Sequence, residues 1–319
     1  MIYVLKSDCP RGSLRTGALA VSILLSGACA DADRLGPTAE ATAAPTAASP
    51  AAAVAQGIVF ASSKMEPSQL NSVYTGVWAP STPSKVLSYL SAVRAKGGRA
   101  VIVLVGDGVP RNSDDTFSLT LWKSALDRYR GINFNSYIAD GTLVAHRLMD
   151  EPHFESRWGN KAIPQSVVEE AAKYSKQLWP TLPTMVSSPP NWLAAAPVTY
   201  THLDAGLAMF RSKVSSTPSR WVAQQAAKAK QKGLGMFAGL NVLDGGDGSS
   251  GWRGTQPRTW QMSASEVRSY GSALLGETRV CGFFMWRYAS EYYNRADVKS
   301  AMTDLSGLAR NHAKTPCRQ

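Results

Sequence analysis

The feature that most constrains the fold is a regular alternation of short apolar runs with amphipathic segments. Residues 99–105, 184–187 and 280–288 are apolar almost throughout, which is typical of strands buried on both faces. Between such runs, apolar residues recur every three or four positions, which predicts helices. Buried strands separated by helices form a parallel sheet covered on both faces. At this length we predict an α/β fold, a single-domain (β/α)8 TIM barrel; a doubly wound open sheet is the alternative.

Seven strands are clear in this pattern, so a barrel requires one more. We expect the missing strand near Tyr74 or within residues 136–139.

Residues 198–203 are predicted to form a strand that ends at Asp204. Residues 244–251 are rich in glycine and predict a mobile loop at the rim, able to serve as a lid.

One predicted strand, residues 143–149, ends abruptly in Asp150, Glu151, Pro152 and His153. The carboxyl ends of parallel strands are where active sites are usually built. Pro152 cannot donate to a strand ladder, and we expect it to hold Glu151 in an extended conformation. Glu151 is therefore the leading catalytic candidate; the alternative is that both acids are solvated strand-end charges or helix caps.

In a barrel, all loops that follow the strands lie at one face. Carboxylates set among indole rings suit a carbohydrate site, because sugar faces stack on tryptophan and sugar hydroxyls bond to polar groups. We expect this face to collect Asp107, Asp150, Glu151, His153, His202, Asp204, Asp244 and Glu291, together with Trp78, Trp158, Trp192, Trp252, Trp260 and Trp286. Trp122, Trp179 and Trp221 lie within predicted helices and are assigned to packing.

Glycoside hydrolysis requires two carboxyl groups, one protonated and one ionised. We assign Glu151 as acid/base, with its pKa raised by nearby negative charge and apolar walls. The second carboxylate is assigned first to Asp244, then to Asp204, and last to Glu291. The predicted substrate-binding residues are Asp107, Asp150, His153, His202, Asn241, Trp78, Trp192, Trp286, Arg287 and Tyr288.

The segment Asp150-Glu151-Pro152 resembles the Asn-Glu-Pro at the end of the fourth strand in the clan of retaining glycosidase barrels. This resemblance implies that Glu151 is the acid/base. Counting onward, it implies a nucleophile near Asp244, after the seventh strand, and a sugar-stacking Trp286 after the eighth. Asp150 replaces the usual Asn, and Asp244 is shorter than the usual nucleophilic Glu. Inversion, a different sugar or lost activity therefore all remain open.

Two other functions compete with this one. A metal-dependent hydrolase of the deacetylase or amidohydrolase kind could use oxygen and nitrogen ligands. The chain has only four histidines and neither His-x-His nor His-Glu-x-x-His, which disfavours it. A barrel that binds glycans without turnover is the third candidate. For a glycoside hydrolase we expect no cofactor and no metal. A metal-dependent hydrolase would instead use as ligands Asp150, His153, His202, Asp204 and Asp244.

The N-terminal residues predict export. Basic residues precede an apolar run too short to span a membrane, and small residues lead into Cys29, as in a bacterial lipoprotein signal. We predict a signal over residues 1–28, an Ala/Pro/Thr tether over 29–56 and the barrel over 57–319. The protein would be lipid-anchored through Cys29, its only membrane contact, or released into the periplasm or outside the cell after ordinary signal cleavage.

The net charge of the chain indicates which partners it could bind. The formal net charge of +11 favours anionic partners such as acidic glycans, and a merely solubilising surface is the alternative. We find no nucleic-acid motif and expect a monomer.

Cys281 begins a predicted strand and Cys317 follows the last helix, which would return to the same end of the barrel. We therefore predict a disulfide between them in an oxidising compartment; a buried thiol and a free tail thiol are the alternative.

Overall fold

A computed structural model describes residues 56–313 and 315–317, which contain eight parallel strands joined into a closed barrel. Every strand pairs with its neighbours in sequence, and β1 pairs with β8 to close the ring. The predicted (β/α)8 fold is therefore confirmed, and the open-sheet alternative is wrong. The strands are β1 Val59–Ser63, β2 Gly76–Pro80, β3 Arg99–Val103, β4 Leu143–Asp150, β5 Thr184–Ser187, β6 Ala205–Phe210, β7 Gly235–Leu240 and β8 Val280–Met285.

Helices cover the outside of the barrel and return the chain to the amino end of each next strand. Their bounds are α1 Val86–Ala95, α2 Leu119–Asp127, α3 Asn135–Ala139, α4 Gln165–Leu178, α5 Pro190–Ala194, α6 Pro218–Gln231, α7 Ala264–Leu275, α8 Ser290–Tyr293 and α9 Ala296–Asn311.

The alternation of side chains along each strand divides the core into two parts. In β1, Val59 and Ala61 point into the barrel, where they belong to an inner cluster with Phe237 and Phe284. Phe60 points outward into the larger cluster between strands and helices. Because the strands are buried on both faces, their sequences are apolar throughout.

The eighth strand that the pattern required is β2, Gly76–Pro80. It follows Tyr74 directly, so the first of the two predicted locations is right. The second location is helical: residues 135–139 form α3. The sequence pattern missed β2 because this strand has a glycine at its start and a proline at its end, two residues that strands usually avoid.

One predicted strand is misplaced, and this changes the candidate site. Residues 198–203 contain no strand, and β6 begins only after Asp204. Asp204 and His202 therefore precede β6 instead of following a strand. Both lie at the amino-terminal end of the barrel, opposite to the face where the strand-end loops meet.

Cys281 and Cys317 form a disulfide, as predicted. Cys281 is the second residue of β8, and Cys317 packs against the inner cluster of the barrel. A side chain at Gly235 would collide with the backbone of Cys317, so Cys317 lies against the start of β7. The disulfide thus fastens the end of the chain to the amino-terminal end of the barrel.

The predicted export signal, Cys29 and nearly all of the predicted tether lie outside the described residues. Within residues 56–313 and 315–317, no helix combines the length and the apolarity that crossing a membrane requires.

Replacing both disulfide cysteines, Cys281→Ser with Cys317→Ser, should lower the free energy of unfolding by about 3–4 kcal/mol. The crosslink spans 36 positions, and losing it enlarges the conformational freedom of the unfolded chain. Guanidinium denaturation followed by tryptophan fluorescence measures the difference. A reducing agent should destabilise the wild-type protein equally and leave the variant unchanged; equal stability of variant and wild type would contradict the prediction.

Candidate active site

A cavity of about 790 Å³ opens at the carboxyl-terminal mouth of the barrel. This volume lies in the range of small-molecule sites. Strand ends and the loops that follow them supply its walls. Among its lining residues are Ser63 at the end of β1, Trp78 on β2, Asp150 at the end of β4, Glu151 and His153 after it, Arg211 and Lys213 after β6, Asn241 and Asp244 after β7, and Trp286 after β8.

The backbone of Glu151 is in an unusual conformation. Its φ is +46°, in the left-handed region that residues other than glycine rarely adopt. The expectation of an extended conformation before Pro152 is therefore wrong. Three hydrogen bonds hold this geometry: the Glu151 N–H donates to the Ser187 carbonyl, and its own carbonyl accepts from the Phe154 N–H and the Trp158 indole. Such strain costs about 1–3 kcal/mol and clusters at functional sites.

The Glu151 carboxylate faces the cavity with its side chain 30% exposed. Arg157 donates to it at 2.9 Å, and an Arg211 nitrogen lies 4.0 Å away. Burial raises the pKa of Glu151 above its ordinary value, and the charge of Asp150 acts in the same direction. Arg157 and Arg211 act in the opposite direction without cancelling the rise in pKa.

Asp150 is buried and lies between two arginines. Its two oxygens are 3.2 Å from Arg147 and 2.9 Å from Arg157. Arg147 also contacts Asp107, at 3.3 Å, and lies 5.7 Å from the centre of the Trp78 ring. Each of the two Asp150 oxygens is therefore paired with a cation at the base of the cavity.

Asp107 follows β3 and joins the site through these arginines instead of through the cavity wall. It lies 3.3 Å from Arg147 and 3.7 Å from Arg157. The sequence reasoning missed both arginines and Arg211. Arg147 had one signal, since it is a charged residue within an otherwise apolar strand and can remain there only if it is paired.

Asp244 lies in the cavity wall, but its carboxylate is engaged within its own loop. Oδ1 accepts from the Thr255 N–H, the Gln256 N–H and the Thr259 hydroxyl, and Oδ2 accepts from the Thr255 hydroxyl at 2.6 Å. Burial alone would raise the pKa of Asp244; the bonds from Thr255, Thr259 and Gln256 outweigh it and hold the pKa below its ordinary value. Asp244 is therefore ionised, and Oδ2 is the oxygen with remaining acceptor capacity.

A second carboxylate fixes another part of the same loop. Glu266 accepts from the Asp247 N–H at 2.8 Å and from the Ser249 hydroxyl at 3.1 Å. It also bonds reciprocally with Ser263 in the capping box that begins α7, as the spacing predicts. The glycine-rich loop that was expected to be a mobile lid is thus bonded at two points in this structure.

His153 and Asn241 complete the polar wall. The Nδ1 of His153 lies 2.7 Å from the Ser188 hydroxyl, and the ring contacts Phe154 and Trp192. Burial lowers the pKa of His153 to about 4, so it is neutral near neutral pH. Asn241 directly follows β7, where its amide oxygen accepts from the Asp244 N–H. The end of the seventh strand therefore presents an amide instead of a carboxylate.

The tryptophans divide between cavity and core. Trp78 and Trp286 line the cavity, and so does Trp221 on α6, which the sequence assigned to packing alone. Trp158 is fully buried and packs against Phe117, so its assignment to the open face is wrong. Trp192 is half-buried in α5 beside His153 and is not among the lining residues.

Several predicted site residues are not brought to this cavity. His202 bonds to Glu169 at 2.8 Å, and Asp204 pairs with Lys176 at 2.7 Å, both at the amino-terminal end of the barrel. The expectation that they share the mouth of the barrel with Glu151 is wrong, because β6 starts after them. Arg287, Tyr288 and Glu291 follow β8 but are not lining residues either; the Tyr288 ring instead packs on Tyr293, with ring centres 4.9 Å apart.

The same displacement separates the ligands that a metal-dependent hydrolase would need. His202 and Asp204 lie at one end of the barrel, whereas Asp150, His153 and Asp244 lie at the other. Within the described residues, no group of three or more acidic, histidine or cysteine side chains is suitably placed to hold a metal ion. The ligand set of that hypothesis is therefore not assembled.

Comparison with solved structures identifies proteins of the same fold. The β-glucanase from Saccharophagus degradans has a TM-score of 0.52 at 10% identity, over 80% of this chain and 88% of that one. The endocellulase from Pyrococcus horikoshii, in a complex with cellotetraose, has a TM-score of 0.51 at 12% identity, over 79% of this chain and 92% of that one. No protein-family model and no curated protein sequence matches the chain. At these identities the likeness shows the barrel fold alone.

Replacing Glu151 by Asn should maintain or raise thermal stability. Asn tolerates the left-handed conformation better than Glu, and the change removes a carboxylate whose ionisation is disfavoured by burial. Differential scanning calorimetry would measure the midpoint of unfolding. Glu155→Asn is a matched control, because it makes the same exchange at an exposed glutamate whose φ is not positive. A clear loss of stability in Glu151→Asn would show that the Arg157 ion pair outweighs the strain.

Proposed function

We propose that this protein is an exported glycoside hydrolase with Glu151 as its acid/base and Asp244 as the second carboxylate. The observation that supports it most is the state of Glu151: strained backbone, partial burial and raised pKa at the cavity mouth. A strained residue with a perturbed pKa in a cavity is typical of a functional site.

In this proposal Glu151 donates its proton to the glycosidic oxygen as the bond to the sugar breaks. A carboxyl group with a raised pKa keeps that proton closer to neutral pH than an ordinary glutamate does. Asp244 is held in its ionised form, as a base or nucleophile must be. Among the described residues, Oδ2 accepts a hydrogen bond from Thr255 alone, so that oxygen is the one assigned to the substrate or to the attacking water.

Aromatic rings in the cavity supply the surface for a sugar. Trp78 and Trp286 line it as the sequence predicts, and Trp221 adds a third ring. Phe154 lines the rim and is exposed enough to contact a ligand. Flat rings of this kind stack against the apolar faces of sugars, and the β-glucanase and the endocellulase of the same fold are in keeping with a carbohydrate substrate.

Export is part of the proposal on the basis of the sequence alone, because the predicted signal lies outside the described residues. The Cys281–Cys317 disulfide supports it, because such bonds persist in oxidising compartments outside the cytoplasm.

A glycan-binding barrel without turnover is the second candidate, and two observations favour it. The seventh strand is followed directly by Asn241, not by a carboxylate, and Oδ1 of Asp244 already accepts three hydrogen bonds. In such a protein the carboxylates would order the pocket and the aromatic rings would hold the glycan.

Substituting Glu151→Gln separates the two candidates. In an enzyme the change should lower kcat on a cleaved glycan by at least about a hundredfold, because the amide cannot donate the proton, while binding persists. Wild-type activity should also fall as pH rises through the raised pKa of Glu151. Reducing-sugar release from a glycan panel measures turnover, and calorimetry measures binding.

Glu155→Gln is the matched control for this experiment. Glu155 is exposed four positions further along the chain and does not line the cavity. It should retain full activity. Glycan binding by the wild-type protein without any turnover on the panel would instead select the binding function.

The role of Asp244 is tested by comparing Asp244→Asn with Thr255→Val. If Asp244 takes part in the reaction, removing its charge should lower kcat by about a hundredfold or more. Thr255→Val removes the one donor to Oδ2 and keeps the carboxylate, so it should lower kcat by about tenfold at most. Limited proteolysis of the 245–262 loop reports on loop order in both variants. Equal loss of activity in both would mean that Asp244 serves only to hold the loop.

A further inference from the structure

Two cations line the cavity without a hydrogen bond to any acidic side chain of the described residues. Arg211 and Lys213 line it, immediately after β6. The nearest approach of Arg211 to a carboxylate is the 4.0 Å separation from Glu151, with no hydrogen bond between them. Lys213 is exposed and has no ion pair within the described residues.

The acids of the cavity are already satisfied by other groups. Asp150 has Arg147 and Arg157, and Glu151 has Arg157 at 2.9 Å. Asp244 accepts four hydrogen bonds from its own loop. The two cations after β6 therefore have the weakest acidic pairing among the positive charges of the cavity, since Arg211 has only the 4.0 Å approach to Glu151. We call Arg211 and Lys213 the cationic edge.

The backbone fixes the cationic edge in place. The Asn241 N–H donates to the Phe210 carbonyl, and the Ser212 N–H donates to the Gly245 carbonyl at 2.8 Å. Residues 212–214 form a short 3-10 helix, and the Val214 N–H bonds back to Arg211. The Arg211 side chain is 42% exposed on this anchored backbone. It is therefore accessible to a ligand without rearrangement of the main chain.

We propose that the cavity takes an acidic glycan and that the cationic edge binds the anionic group of one of its sugars. This rests on the proposed function and specifies its substrate class. The planar guanidinium of Arg211 can bind a carboxylate or a sulfate ester through two parallel hydrogen bonds. Lys213 adds a second positive charge at the rim, where it attracts an anionic chain.

The position of Arg211 places the anionic group close to the chemistry. Because Arg211 lies 4.0 Å from Glu151, the acidic sugar would be one of those that flank the scissile bond. The arginine's charge acts to lower the pKa of Glu151. A bound anion would offset that charge, so the correct substrate would help Glu151 to keep its proton.

Binding experiments in a Glu151→Gln background test this inference without consumption of the ligand. The probes are tetrasaccharides of galacturonate and mannuronate, each compared with its neutral methyl ester, a sulfated carrageenan tetrasaccharide, and cellotetraose as a neutral glucan. Calorimetry should give a dissociation constant about tenfold lower for an acidic probe than for its neutral counterpart, as expected for charge-assisted hydrogen bonds. Added salt should reduce that difference.

Substitutions assign the preference to the cationic edge. Arg211→Gln should abolish most of the preference for the acidic probe, and Lys213→Gln should reduce it by about threefold. Lys230→Gln is the matched control, because Lys230 is exposed near the carboxyl end of α6, away from the cavity. It should leave the preference unchanged. The midpoint of thermal unfolding verifies that each variant is folded.

Each outcome decides a different part of the proposal. Preference for a uronate and preference for the sulfated probe both support it and identify the anionic group. Equal binding of acidic and neutral probes, or a preference that survives Arg211→Gln, would overturn the acidic substrate while leaving a neutral-glycan hydrolase standing. Absence of binding to every probe would overturn the acidic substrate together with the proposed function.

Discussion

Closure of the sheet between β1 and β8 is the constraint on which the rest of this structure depends. Closure brings the carboxyl ends of all strands around one mouth, so groups far apart in sequence line a single cavity. It also creates an interior in which a charged side chain needs an oppositely charged partner within the barrel. Arg147 meets that requirement by contacting Asp107 and Asp150, residues supplied by the ends of two neighbouring strands. The candidate site is built above this buried pairing.

The charged groups then form a continuous chain from the barrel interior to solvent. Arg147 binds Asp150, Asp150 binds Arg157, and Arg157 binds Glu151. Each link orients the next, so Glu151 is fixed both by its backbone and by its ion pair. Arg211 lies beyond this chain, with a carboxylate near it but none bonded to it. Arg147 and Arg157, by contrast, each contact at least two carboxylates, so Arg211 is the arginine of the three that is available to a ligand.

The sequence predicted the barrel because burial on both faces leaves an unmistakable pattern of apolar runs. It also predicted the disulfide and the position of Glu151 at the mouth, since both follow from strand direction. It failed at β6, where residues 198–203 have the β-branched and aromatic composition of a strand but precede it. The true strand, Ala205–Phe210, is composed mainly of small and flexible residues and is fixed by pairing with all six residues of β7. The arginines of the site were missed because ion pairing depends on which strand ends meet in space.

The loop after β7 shows how recognition could diverge in barrels of this type. Asp244 holds residues 255–259 and Glu266 holds residues 247–249. Between these two attachment points lies a short stretch that includes Trp252, which is 58% exposed. The Trp252 indole takes no part in either attachment, so exchanging this side chain would leave both intact. Variation of one exposed ring is therefore a route by which a barrel of this type could acquire a new ligand preference without disturbing its strands.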